Sequence, residues 1–123
     1  MKRDRIIFYV ITGLLALMMT GSAAMYIFNT PEVAAEFAKL GFPLWIIYPL
    51  AVAKVVGAAT LLLRPNKWLP HWAYSAFFFE FLLAAGGHLS ADDGEFGGAV
   101  IAIVLLLGSF FFSFRAFPEA KTA

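Results

Sequence analysis

The sequence contains no cysteine. This excludes disulfides, thiol redox chemistry, iron–sulfur ligation, covalent c-type haem and a cysteine nucleophile. Histidine is scarce, with only His71 and His88, which leaves little for a transition-metal centre. Charge is scarce too: 14% of residues are charged and the formal net charge is +1. A disordered chain needs the opposite balance, and a nucleic-acid binder needs a basic patch, so neither class fits. What fills the chain is apolar. Hydrophobic residues make up 62% and the mean hydropathy is +0.82, against about 45–50% apolar in a soluble domain. A chain of 123 residues has too much surface for its volume to hide that excess. A soluble monomer is therefore excluded as a reading.

A bilayer core needs about 20 apolar residues in a helix. Four stretches meet this length: residues 6–28, 43–63, 72–89 and 97–114. The gaps between them are short. The expectation is one all-α domain over 1–123, an integral membrane antiparallel four-helix bundle. Lys2, Arg3 and Arg5 before the first span, with Ser22-Ala23-Ala24 late in it, also resemble a secretory signal. The segment is read here as a retained membrane helix. Between the first two spans, Thr30-Pro31-Glu32 has the form of an N-cap, a proline at the first helical position and an acid in the first turn. Val33, Phe37 and Leu40 share one face, and Gly41 closes the segment. This predicts a short amphipathic helix over about 31–40, lying at the membrane surface or capping the bundle.

The few charges orient the protein. With the N-terminus inside, Lys2, Arg3, Arg5, Arg64, Lys67, Arg115 and Lys121 are cytoplasmic, and only Lys39 is outside. Basic residues accumulate on the cytoplasmic side. Both termini are expected there, in a bacterial inner (plasma) membrane. Two charges remain, and they lie within spans: Lys54 and Glu80. Lys54 stands about 13.5 Å from the Leu63 end, and Glu80 about 12 Å from the Trp72 end, at 1.5 Å per residue. Consecutive antiparallel spans at matching depth predict a Lys54–Glu80 ion pair near mid-membrane. It has two open readings: a structural clip, or a polar site for a proton, an anionic head group or a quinone-like ring.

His88 falls on the face of Glu80, with small Ala84 between them. It either lines one cavity with Glu80 or sits at the interface among lipid head groups. His88 with Asp92, Asp93 and Glu95 has the chemistry for a divalent cation, but a solvated turn around Gly94 is the preferred reading and no metal is expected. Ala53 and Gly57 form a small-xxx-small pattern for close helix packing, and Gly13, Gly21, Gly86 and Gly87, with Gly97 and Gly98, are further candidates. The Phe77–Phe79 and Phe110–Phe112 runs cover every side of their helices, as lipid-facing surface and core filler.

At this point the residues resemble a family. Gly41-Phe42-Pro43-Leu44-Trp45, Ala53-Lys54-Val55-Val56-Gly57-Ala58 and Leu61-Leu62-Leu63 with Pro65 look like the second-helix signature of DoxX-like membrane proteins. His71-Trp72-Ala73-Tyr74-Ser75-Ala76, Glu80 and His88-Leu89 look like the third. The pattern departs at His71, Ala76 and Gly87, where the family often has an acid, a glycine and a small hydroxyl residue. The resemblance implies that Lys54, Glu80 and His88 are site candidates. It also implies a small membrane subunit or anchor beside a quinone-linked redox system; the sequence shows no redox group of its own, so independent catalysis is not expected. A quinone or lipid is the implied ligand, and a redox enzyme or another membrane protein the implied partner. The alternatives are a non-catalytic assembly factor, or an oligomeric proton or solute pathway. A small bundle buries limited surface, so a homodimer is a further expectation.

Overall fold

A computed structural model describes residues 2–92, 94 and 97–118. Its helices are α1 (Lys2–Phe28), α2 (Thr30–Leu40), α3 (Ile47–Leu63), α4 (Leu69–Ala91) and α5 (Gly97–Ala116), with one 3₁₀ turn at Leu44–Ile46. Four long helices pack as a closed ring. α1 contacts α3 and α5, and α4 contacts the same two. Chain neighbours are therefore spatial neighbours, with α1 and α4 on one diagonal.

The helices are sided in the manner of a protein whose solvent is lipid. In α1, Phe8, Thr12, Leu15, Met19 and Ala23 recur at helical spacing and are buried. Ile6, Val10, Leu14 and Leu17 of the same helix point outward and are exposed. Similar outward faces come from Val52 and Val56 of α3, Phe79 and Leu83 of α4, and Val104 and Phe111 of α5. In water such a surface would be untenable, and in a bilayer it is the solvated face. α1, the Leu44–Leu63 segment and α5 are each long and apolar enough to cross a membrane. α4 matches them in length at 23 residues. It is less apolar because it carries Glu80, His71 and His88, and it packs between α3 and α5. The protein is an integral membrane protein.

Local chemistry explains where the elements end. Asn29, not Thr30, is the N-cap of α2. The Thr30 hydroxyl turns backward instead and donates to the carbonyls of Tyr26 (2.8 Å) and Ile27 (3.0 Å), satisfying the end of α1. Gly41 ends α2 with φ of 83°, and the Phe42 N–H bonds the Phe37 carbonyl. α4 starts at Leu69, earlier than its apolar run. Asn66 Oδ1 accepts from the N–H groups of Trp68 (2.8 Å) and Leu69 (2.9 Å), and Pro70 follows.

The main core joins Leu15 and Met19 of α1, Ala58 and Leu61 of α3, Phe77 and Phe81 of α4, and Leu106 of α5. A second core lies under α2, where Val33 and Phe37 meet Ile47, Tyr26 and Phe42. α2 thus caps one end of the ring, touching α1, α3 and α4. Two glycines permit close approaches. A Cβ at Gly57 would stand 2.5 Å from Cζ of Phe77, and one at Gly87 would stand 2.9 Å from Cζ of Phe42. Gly13, Gly21, Gly86, Gly97 and Gly98 have open space instead, so they do not pack helices closely.

Candidate functional site

Glu80 of α4 and Lys54 of α3 meet inside the ring, with Nζ to Oε1 at 2.5 Å. Lys54 is 5% exposed. Its ammonium has two further neighbours on α1: Met19 Sδ at 4.0 Å and the Tyr26 ring, whose centroid is 5.2 Å away. Tyr26 in turn packs edge-on against Phe37 of α2, with centroids 5.4 Å apart. The cation therefore has a carboxylate, a polarisable sulfur and an aromatic ring around it, and Phe37 of the α2 cap packs against that ring. Removing two charges from water costs several kcal/mol per ion, and close pairing offsets it. The arrangement can hold α3, α4 and α1 in one rotation, and it keeps a carboxylate and an ammonium available to one another in an apolar medium.

The other sequence candidates lie apart from the pair. His88 is half-buried in the last turn of α4, two turns from Glu80, or about 12 Å along the axis. Asp92 is the C-cap of α4 with φ of 52°, and its N–H bonds the carbonyls of His88 and Leu89. Asp93 and Glu95 lie outside the described residues. Among the described residues, no group of three His, Cys, Asp or Glu is placed to hold a metal ion. Gly57 faces Phe77, whereas Ala53 is exposed on the outer side of α3. The close packing therefore rests on Gly57 and not on Ala53, because α3 turns Ala53 toward lipid. His71 lies beside the rings of Phe110 (6.4 Å) and Phe114 (6.0 Å).

Sequence reasoning missed a second polar layer. Ser109 of α5 hydrogen-bonds both Thr12 of α1 and Tyr74 of α4, each at 2.6 Å. This neutral triad links the diagonal helices through α5. Its only advance signal is position: Thr12 sits on the Phe8–Leu15 stripe, and Ser109 and Ser113 share a face at four-residue spacing. Beside it, Tyr74, Phe78, Phe79, Leu107 and Phe110 line a groove of about 320 Å³ between α4 and α5.

Arginines gather at the ring end away from α2. Arg115 Nε pairs with Asp4 at 3.3 Å, and Arg5 Nε donates to the Ala116 carbonyl at 3.1 Å. These contacts tie the start of α1 to the end of α5.

Together these features define a class: an integral membrane four-helix bundle with an ion pair buried between its second and third long helices. The chain belongs to the DoxX-like family, whose model matches residues 10–112. No curated protein and no solved structure matches it.

Proposed function

We propose that this protein is a non-catalytic membrane subunit that anchors a redox partner of a quinone-linked system in the bacterial inner membrane. The observation that carries the reading is the environment of Lys54. Its charge is met by Glu80, Met19 and Tyr26 of its own chain, so the pair serves as the fixed polar element of an anchor. The chain has no cysteine and so no thiol redox centre, and in this reading the redox chemistry is the partner's. The arginine end faces the cytoplasm, in keeping with the excess of basic residues there. Both termini lie on that side. Purification from native membranes in mild detergent tests this. A stoichiometric partner with a flavin, haem or metal absorbance is the expected result. Recovery with a colourless membrane client, or alone, would overturn it in favour of an assembly factor.

One observation favours a ligand role beside the anchor. The α4–α5 groove opens to lipid, has aromatic walls, and brings the Tyr74 phenol beside space for a flat ring. A quinone head group fits that chemistry. Saturable binding of a short-tailed quinone, lost in Phe79→Ala together with Leu107→Ala, is the expected result. Equal uptake by both proteins would remove the quinone.

A further inference from the structure

The arginine end holds more cation than the anchor reading uses. Lys2 and Arg5 lie in the first turns of α1, and Arg64 ends α3. The guanidinium carbon of Arg5 is 4.9 Å from the Phe117 ring centroid, and that of Arg64 is 4.6 Å from the same centroid. The two cations therefore stand within one Debye length of each other, about 10 Å at 0.1 M salt. The neighbouring carboxylate, Asp4, is engaged by Arg115, and Glu119 lies outside the described residues.

Arg64 is placed there at a cost. Its φ is 48°, a left-handed conformation that favours glycine or asparagine, and its N–H bonds the Thr60 carbonyl. The side chain reaches back over the rings of Phe117 and Phe8, 5.4 Å from the centroid of the latter. Its Nη1 is shielded from solvent. Space lies beside this cluster: a groove of about 490 Å³ bordered by Lys2, Arg5, Ala116 and Pro118. The bond from Arg5 Nε to Ala116 fixes the Arg5 guanidinium at the groove wall.

We propose that Lys2, Arg5 and Arg64, gathered around Phe117, form a site for a phosphate group, supplied in the membrane by the head group of an anionic phospholipid. The ends of the long helices lie at the depth of the head-group layer, where basic clusters attract anionic lipid. Lys2 and Arg5 contact the phosphate in the groove. Arg64 adds its charge from across the Phe117 ring. The site is at the opposite end of the ring from α2 and stands whether or not a redox partner exists.

The test is a thermal-stability titration of the purified full chain in a neutral detergent. The probes are short-chain phosphatidylglycerol, phosphatidylcholine of the same chain length, and inorganic phosphate. Phosphatidylglycerol is expected to raise Tm saturably, with a half-saturation that weakens as salt increases, while phosphatidylcholine leaves Tm unchanged. Lys2→Gln and Arg64→Asn are each expected to weaken half-saturation about fivefold. Asn keeps the left-handed turn available, so Arg64→Asn separates charge from backbone. A purely structural arginine would lower the starting Tm and leave half-saturation unmoved, which overturns the proposal. So does an equal response to the two lipids. Inorganic phosphate matching phosphatidylglycerol in half-saturation would assign the site to free phosphate and overturn its occupation by lipid.

Discussion

The two polar layers inside the ring solve the same problem with different chemistry. One is charged: Lys54 and Glu80 bridge adjacent helices in a single contact. The other is neutral: Thr12, Ser109 and Tyr74 pass hydrogen bonds from α1 through α5 to α4. A buried charge is tolerated only when paired, so the first layer is all-or-none. Hydroxyls cost little singly and can fall back on the carbonyls of their own helix, as Thr60 does with Val56 at 2.8 Å. The neutral layer is therefore graded. The charged layer fixes one interface firmly, while the neutral layer reaches across the diagonal that the backbones of α1 and α4 leave open.

This contrast can be broken by mutation. Glu80→Leu carries the largest expected effect, because it strands Lys54 in the interior. A loss of about 3–5 kcal/mol is expected in reversible unfolding from mixed micelles. Adding Lys54→Met should recover most of that loss, and failure to do so would mean that the pair contributes more than charge balance. Gly57→Ala comes next, since its methyl group meets the Phe77 ring. The expected loss is about 1–3 kcal/mol, relieved by Phe77→Leu in the same chain. Tyr74→Phe removes one hydrogen bond of the triad and leaves Thr12 with Ser109. A loss of about 0.6–1 kcal/mol in the same assay sharpens the contrast, and a loss equal to that of Glu80→Leu would abolish it. Ala53→Leu should change stability by less than about 0.5 kcal/mol, because the residue faces lipid.

What was legible in the sequence follows the same division. Lys54 and Glu80 stand out because charge is rare in an apolar run, and constant helical rise turns residue counts into depth. The amphipathic α2 was legible from Val33, Phe37 and Gly41, although its cap residue shifted by one. Thr12, Ser109 and Tyr74 were not legible as a set. Each is an ordinary residue for a membrane helix, and its partner lies on another helix far along the chain. Arg64 read only as an orienting loop charge. Its insertion between Phe8 and Phe117 depends on a left-handed backbone and on two distant segments. Pattern reading also credited Ala53 equally with Gly57, because i and i+4 spacing does not say which of two small residues meets the neighbour.

The wiring of the two layers sets a timetable for synthesis. The contact of Lys54 with Glu80 closes within the first two-thirds of the chain, before α5 exists. Ser109 trails Tyr74 by 35 positions and Thr12 by 97. The hydroxyl triad thus becomes available only once α5 is made, and it requires that helix to slot between α1 and α4. A chain truncated before α5 keeps its buried charges neutralised yet leaves Thr12 and Tyr74 facing an open flank.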